Sequence, residues 1–268
     1  MLGLNRSGTT IYERFRGSAD GVFAAGEIHN IWLWPFLRRP CACGQLLPDC
    51  PQWSQVFARL EADTQVSVDE FVADFAALHQ RTGRTRDIPK ILRRTADARA
   101  FAARMQQLYT AIAGATGAST IVDNSKSPSG ALLLELMDGV EAEYVRVCRD
   151  PIATIQSNRI APTEPWAPPR IRGSELVAQE AVITWICRRF GRRGKLTTVD
   201  LDRFLRDHAG HVLAESHQAE GNPSRAGAAV LTPSLAQARE PADTAMRAEA
   251  FAINTLRRLS RRSPRRAD

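Results

Sequence analysis

The sequence predicts an α/β fold, with a mainly parallel sheet flanked by helices. Two observations carry that expectation. Short apolar runs alternate with segments of helical period along the chain. Polar or charged motifs follow several of those runs directly, as ligand-binding turns do at the carboxyl edge of a parallel sheet.

The first element is the shortest. Only Met1 and Leu2 precede a glycine-rich turn, Gly3-Leu-Asn-Arg-Ser-Gly-Thr-Thr10, and Ile11 to Phe15 then reads as a helix start. Gly21 to Ala25 reads as a strand, and a Pro/Cys-rich connection runs from Pro35 to Trp53. Ser67-Val-Asp-Glu70 is a capping-box pattern, with Phe71, Val72, Phe75 and Leu78 at helical spacing behind it. A second helical stretch runs from about Ala96 to Ala113, stopped by Gly114 and Gly117. Ser119 to Asp123 reads as a buried strand, Ala131 to Met137 as helix and Tyr144 to Cys148 as the next strand. Asp150-Pro151 supplies an N-cap with proline at the first helical position. Glu175 to Phe190 is helical, and Leu196 to Val199 is a fourth strand. The organisation expected is one domain over residues 1–256, followed by a basic, disordered tail over 257–268.

Composition narrows the function classes. The chain of 268 residues is 44% hydrophobic and 24% charged, ordinary values for a globular protein. No apolar run approaches the roughly 18 residues of a membrane span, and no leader pattern precedes the loop, so a cytoplasmic protein is expected. Six arginines and one aspartate in Arg257–Asp268 supply most of the net charge of +7. A nucleic-acid footprint would spread over a face of the domain, so no nucleic-acid partner is expected.

The glycine-rich loop is the first candidate site. A Walker A loop has lysine before its final Ser/Thr, whereas Thr9 stands there and Arg6 is the loop's one cation. Amides, hydroxyls and a guanidinium at a helix N-terminus suit a bound anion more than a metal-bound nucleotide awaiting transfer. A second motif is Arg149-Asp-Pro-Ile-Ala-Thr-Ile-Gln-Ser157. The strand delivers Arg149 to the sheet edge, and Ser157 lies about two helical turns beyond the cap, on nearly the same face. A guanidinium and a hydroxyl so placed can hold a second phosphate; pairing of Arg149 with Asp150 or Asp123 is the structural alternative. Cys41, Cys43 and Cys50 form a C-x-C-x6-C cluster, one ligand short of a tetrahedral zinc set. The expected reading is a compact loop of reduced thiols, with a zinc site as the alternative. Cys148 and Cys187 fall in apolar segments and read as core.

Taken together, these motifs resemble the sulfotransferases that use 3′-phosphoadenosine 5′-phosphosulfate (PAPS) as donor, in their bacterial form. Arg6-Ser-Gly-Thr-Thr10 resembles that family's 5′-phosphosulfate loop, and Arg149 with Ser157 its 3′-phosphate pair. Further matches are Phe23-Ala-Ala-Gly-Glu27, Cys41-Ala-Cys-Gly44 with Cys50-Pro-Gln-Trp53, Val122-Asp-Asn-Ser-Lys126, and His217-x-x-x-Gly221-Asn-Pro-Ser-Arg225. The resemblance implies a P-loop-like three-layer fold and donor contacts from Arg6, Ser7, Gly8, Thr9, Thr10, Arg149, Ser157, Gly221, Asn222 and Arg225. It also implies transfer of a sulfuryl group to a hydroxyl of a small-molecule, carbohydrate or lipid acceptor, with no metal required.

Such a transfer is in-line and is catalysed by positioning and electrostatics. Arg6 and Lys126 would stabilise charge on the moving group, and Glu27 would accept the hydroxyl proton, with His29 as the fallback base. Ile28, Ile31 and Trp32 would desolvate Glu27. Acceptor contacts are expected from Glu27–Leu37 and from a Pro-rich lid, Pro162–Arg172. Trp32, Trp34 and Trp166 are open to stacking on a ligand or to core packing. The rival classes are a P-loop small-molecule kinase and a truncated, inactive relic of the sulfotransferase fold.

Overall fold

The computed structural model describes residues 1–33, 40–159, 171–213, 216–219, 229–233 and 241–261. In chain order its helices and strands are α1 (Thr9–Gly17), β1 (Val22–Gly26), α2 (Pro51–Thr64), α3 (Val68–Leu78), α4 (Ile88–Leu92), α5 (Ala96–Thr116) and β2 (Thr120–Asp123). They continue as α6 (Pro128–Leu133), β3 (Tyr144–Cys148), α7 (Pro151–Arg159), α8 (Gly173–Gly191), β4 (Leu196–Asp200), α9 (Leu201–Asp207), β5 (Val212–Leu213), β6 (Ala229–Val230) and α10 (Thr244–Arg261). Helices and parallel strand pairs make the chain α/β, as its pattern predicts.

The chain divides into two compact units. One comprises Met1–Tyr12, Glu143–His211 and Val230–Asp268; the other comprises Glu13–Ala142 and Val212–Ala229. Each holds its own two-stranded parallel sheet.

In the first unit β3 pairs with β4 from Tyr144↔Leu196 to Cys148↔Asp200. Leu2 forms a parallel bridge to Arg146 along the other edge of β3, its N–H donating to Val145 O at 2.8 Å while Val147 N–H donates back at 2.9 Å. Leu2 joins the ladder as a single bridge residue just before the glycine. Tyr144 stacks flat on Phe190 of α8, with ring centroids 3.5 Å apart. Helix α10 buries Met246, Ala250, Ile253 and Arg257, a stripe at helical spacing that packs on α8. The sequence expects residues 257–261 in a disordered tail. They form the last turn and more of α10 instead, because Arg257 continues the buried stripe. The remainder of that stretch, 262–268, lies outside the described residues.

In the second unit β1 pairs with β2 from Val22↔Thr120 to Gly26↔Asp123, with an irregularity between Ala24 and Gly26. Ala219 adds a parallel bridge at Gly26. The approach is so close that a Cβ on Gly26 (φ +79°) would overlap the Ala219 backbone, so only glycine serves there. Helix α3 starts at the expected capping box, with Ser67 Oγ accepting from Glu70 N–H. Helix α5 ends at Gly117 in the left-handed conformation that glycine tolerates. The β2 strand is half-exposed rather than buried, and the expected helix over Ala131–Met137 is α6 followed by one 3-10 turn, Leu134–Leu136.

Candidate functional site

The loop residues Gly3–Thr10 lie in the first unit, together with Arg149 and Ser157. After Leu2 leaves the sheet, the chain turns through Arg6, held in the left-handed conformation at φ +64°, and Gly8 at φ +87°. Helix α1 then opens at Thr9. Asp150 caps α7 as its sequence predicts, Oδ1 accepting from Ala153 N–H at 2.8 Å. Two side chains of the β3–α7 segment grip the loop's backbone. Arg149 Nη1 donates to Arg6 O at 3.1 Å, and Asn158 Nδ2 donates to Asn5 O at 2.9 Å. Of the residues predicted to hold two phosphates, Arg149 is thus brought against the loop's backbone, and Ser157 lies in the same unit. Asn158 was not legible in the sequence, since nothing local marks it.

Inside the loop Ser7 is fully buried, and among the described residues its hydroxyl has no hydrogen-bond partner. A buried polar atom left so costs free energy unless a ligand or water meets it. A Cβ on Gly3 would crowd that hydroxyl, so the glycine keeps the space open. Gly8 is held to glycine by its surroundings as well as by its backbone. A Cβ there would overlap the side chain of Leu201, so this glycine makes room for the core as well as for the turn.

The second unit carries Glu27, His29 and Lys126. Glu27 follows β1 and Lys126 follows β2, so both stand past the carboxyl ends of paired parallel strands. Lys126 Nζ forms an ion pair with Glu27 Oε1 and donates to Asn124 O at 3.1 Å, and Asn30 Nδ2 donates to Glu27 Oε2 at 3.2 Å. The Asp-x-Ser-Lys segment is internally wired. Asp123 Oδ1 accepts from Ser125 N–H at 2.7 Å and from its hydroxyl, and Ser125 Oγ accepts from His29 N–H at 2.8 Å. Lys126 sits at φ +54°, so Arg6 and Lys126 are two of the four non-glycine residues of positive φ among the described ones. Backbone strain of this kind concentrates at functional sites.

His29 is placed differently from the expectation of a fallback base. Its ring is buried against His79 and Phe101, with Nε2 3.3 Å from Gly83 O, and burial holds its pKa below the ordinary histidine value. Desolvation likewise pushes His79 down to about 3. These are neutral packing histidines. Trp32 also joins this cluster, its ring centroid 4.9 Å from that of His79, which favours the core alternative for this tryptophan.

Glu13, which no motif singles out, is buried at the centre of the second unit. Its carboxyl accepts from Gly26 N–H at 2.6 Å and from the Gln218 side chain. Burial pushes its pKa up to about 8, against the opposing pull of the Gly26 bond and of Lys126. Gly221, Asn222, Arg225, Trp34, Trp166 and most of Pro162–Arg172 lie outside the described residues. Cys41, Cys43 and Cys50 gather beside His217 in the second unit.

No protein-family model, curated protein or solved structure matches this chain. No helix among the described residues is long and apolar enough to cross a membrane.

Proposed function

We propose that the protein is a PAPS-dependent sulfotransferase acting on a hydroxyl acceptor. The observation that carries this reading is the grip of Arg149 and Asn158 on the Asn5–Arg6 backbone around the buried, unpartnered hydroxyl of Ser7. A loop entering a helix, with an arginine from the neighbouring parallel strand beside it, supports the P-loop-like arrangement the motifs imply. It offers amides, a hydroxyl and guanidinium groups, which are donors for phosphate oxygens. Ser7 fits such a ligand because its hydroxyl needs a partner in the space Gly3 leaves.

The donor would supply the activated sulfuryl group. Arg6, Ser7, Gly8, Thr9 and Thr10 would bind its 5′ end, and Arg149 and Ser157 its 3′-phosphate. Arg6 would also balance charge that develops on the sulfonate oxygens. On the acceptor side, Glu27 takes the hydroxyl proton. The motif resemblance gives Lys126 a role on the charge of the moving group; within the second unit it holds the Glu27 carboxylate through their ion pair. Gly221, Asn222 and Arg225 enter this reading from the sequence motif alone.

Thermal unfolding with adenosine 3′,5′-bisphosphate (PAP) against Mg-ATP tests it. At about 100 times Kd, PAP should add roughly 2.7 kcal/mol of apparent stability, with no such gain from Mg-ATP. Stabilisation by Mg-ATP alone would select the kinase reading, and by neither ligand the relic. Transfer of labelled sulfate from PAPS to a panel of hydroxyl compounds then identifies the acceptor class.

A further inference from the structure

Three cysteines cannot complete a tetrahedral zinc set, and the spacing C-x-C-x6-C shows only three ligands. The fold brings a fourth. Pro40 and Leu46 form an antiparallel bridge around a tight turn, in which Cys41 N–H donates to Gln45 O at 2.8 Å and Gly44 N–H donates to Cys41 O at 2.9 Å. Gly44 takes the left-handed conformation at φ +90° that the turn requires. Cys41 and Cys43 thereby present their sulfurs from a single knuckle. Cys50 follows at the N-cap of α2, anchored by its own N–H on Leu46 O at 2.9 Å. His217 arrives from 167 residues beyond Cys50, its Nδ1 lying 3.3 Å from Cys50 Sγ.

The four ligand atoms all lie within 4.8 Å of one another, and Cys50 Sγ is 3.5 Å from Cys41 Sγ. With Zn–S near 2.3 Å and Zn–N near 2.0–2.1 Å, a tetrahedral site has edges of about 3.8 Å between sulfurs and about 3.6 Å from sulfur to nitrogen. The spacing already approaches that figure. We propose that Cys41, Cys43, Cys50 and His217 form a structural zinc site, a closed Cys3His tetrahedron. Soft thiolate and imidazole donors select zinc over calcium or magnesium. Four protein ligands leave no open position, so the metal cross-links rather than catalyses.

The surrounding bonds show what it would cross-link. Trp53 Nε1, from the fully buried indole one turn into α2, donates to His217 O at 2.6 Å. Ala42 N–H donates to Gln218 O at 3.0 Å. Ala219 then pairs with the end of β1, its N–H donating to Ala25 O at 2.9 Å while Glu27 N–H donates to Ala219 O at 3.1 Å. Zinc on His217 would pin segment 216–219 to the cysteine turn, and through it the strand end that carries Glu27. A cation that meets its four ligands only once the fold has gathered them adds its binding free energy to folding.

The proposal does not rest on the sulfotransferase reading, and its test uses no activity. The full-length protein, purified without chelator, should contain one zinc per chain by plasma mass spectrometry. After chelation under reducing conditions, added Co²⁺ should give the intense visible bands of a tetrahedral cobalt thiolate, and Zn²⁺ should abolish them. Chelation alone should lower the thermal midpoint. Cys43 is exposed, so Cys43→Ser should fold and yet bind Co²⁺ at least tenfold more weakly with an altered spectrum. His217→Ala should shift the bands in the same sense. Reduced protein that contains no zinc and gives no cobalt-thiolate bands would overturn the site. So would a Cys41–Cys50 disulfide in the metal-free protein as purified, or a Cys43→Ser variant that binds cobalt like the parent.

Discussion

Arg257 donates from Nη1 to the backbone carbonyl of Arg149 at 2.7 Å. Its Nε also reaches Glu180 Oε2 at 3.4 Å, and Glu180 is paired through its other oxygen with the buried Arg146. A residue of the basic C-terminal run thus supports the backbone of the candidate phosphate ligand, from a buried ionic network. Arg257→Ala should lower stability by about 1–3 kcal/mol, the usual cost of removing a charged donor from buried acceptors. Arg146→Ala should cost more, about 3–5 kcal/mol, because it strands the buried Glu180 charge. Urea midpoints measure both. An unchanged midpoint for Arg257→Ala would return this residue to a solvated tail.

Arg149→Ala should weaken PAP binding sharply, since each charge-assisted phosphate bond is worth about 1.5–3 kcal/mol. Ser157→Ala should cost less. Isothermal titration on folded variants decides the point, and wild-type affinity in Arg149→Ala would remove the 3′-phosphate role from this pair.

Ser7 and Gly8 separate binding from folding. Gly8→Ala should destabilise the protein by about 1–3 kcal/mol even without ligand, through the clash with Leu201 and the left-handed backbone. Lost donor binding in that variant would therefore say little. Ser7→Ala removes a buried hydroxyl that has no partner among the described residues, so it should leave the ligand-free protein as stable or more stable while weakening PAP. Equal loss of stability and affinity in Ser7→Ala would argue that the hydroxyl serves the fold.

Glu27→Gln should leave PAP affinity nearly unchanged and lower sulfate transfer by ~10²–10⁴. His29→Ala should act on stability instead, because the ring fills the core beside His79 and Phe101. Steady-state rates with any accepted substrate, set beside thermal midpoints, distinguish the two effects.

Glu13 gives a pH dependence of definite sign. Its folded pKa, about 8, stands above the ordinary 4.5, so the folded state holds a proton that the unfolded chain releases. The contribution to stability is fully present below about pH 4.5 and is lost as pH rises toward 8, by up to ~1.4 kcal/mol per pH unit. Glu13→Gln keeps the shape without the titration, and a flip of the Gln218 amide restores a partner. Urea midpoints near pH 5 and near pH 8 should therefore differ less in the variant than in the parent. Identical pH profiles would show that Glu13 is ionised in the folded protein.

The elements that sequence predicts well are those whose causes are local. The Ser67–Glu70 box, the Asp150 cap and the stop at Gly117 involve groups a few residues apart, and side-chain chemistry alone decides them. Apolar period likewise places β3 and β4, and with them Arg149 at a strand end. Glu27 and Lys126 were nameable from their motifs, but their ion pair spans 99 residues and exists only once β1 and β2 pair.

Tertiary structure decided everything that depends on partners distant in the chain. The run of arginines from Arg257 reads as a solvated tail because its composition is basic. Yet Arg257 falls on the buried stripe of α10 and finds Glu180, which no local pattern announces. The pKa of Glu13 rises only because the fold buries its carboxyl, against the opposing pull of the Gly26 bond. The three cysteines read as a loop until the fold delivers His217. Propensity and spacing are encoded within a few turns of chain, whereas desolvation, ion pairing and ligand sets are set by which remote segments share the core, and there the chain's own packing has the final word.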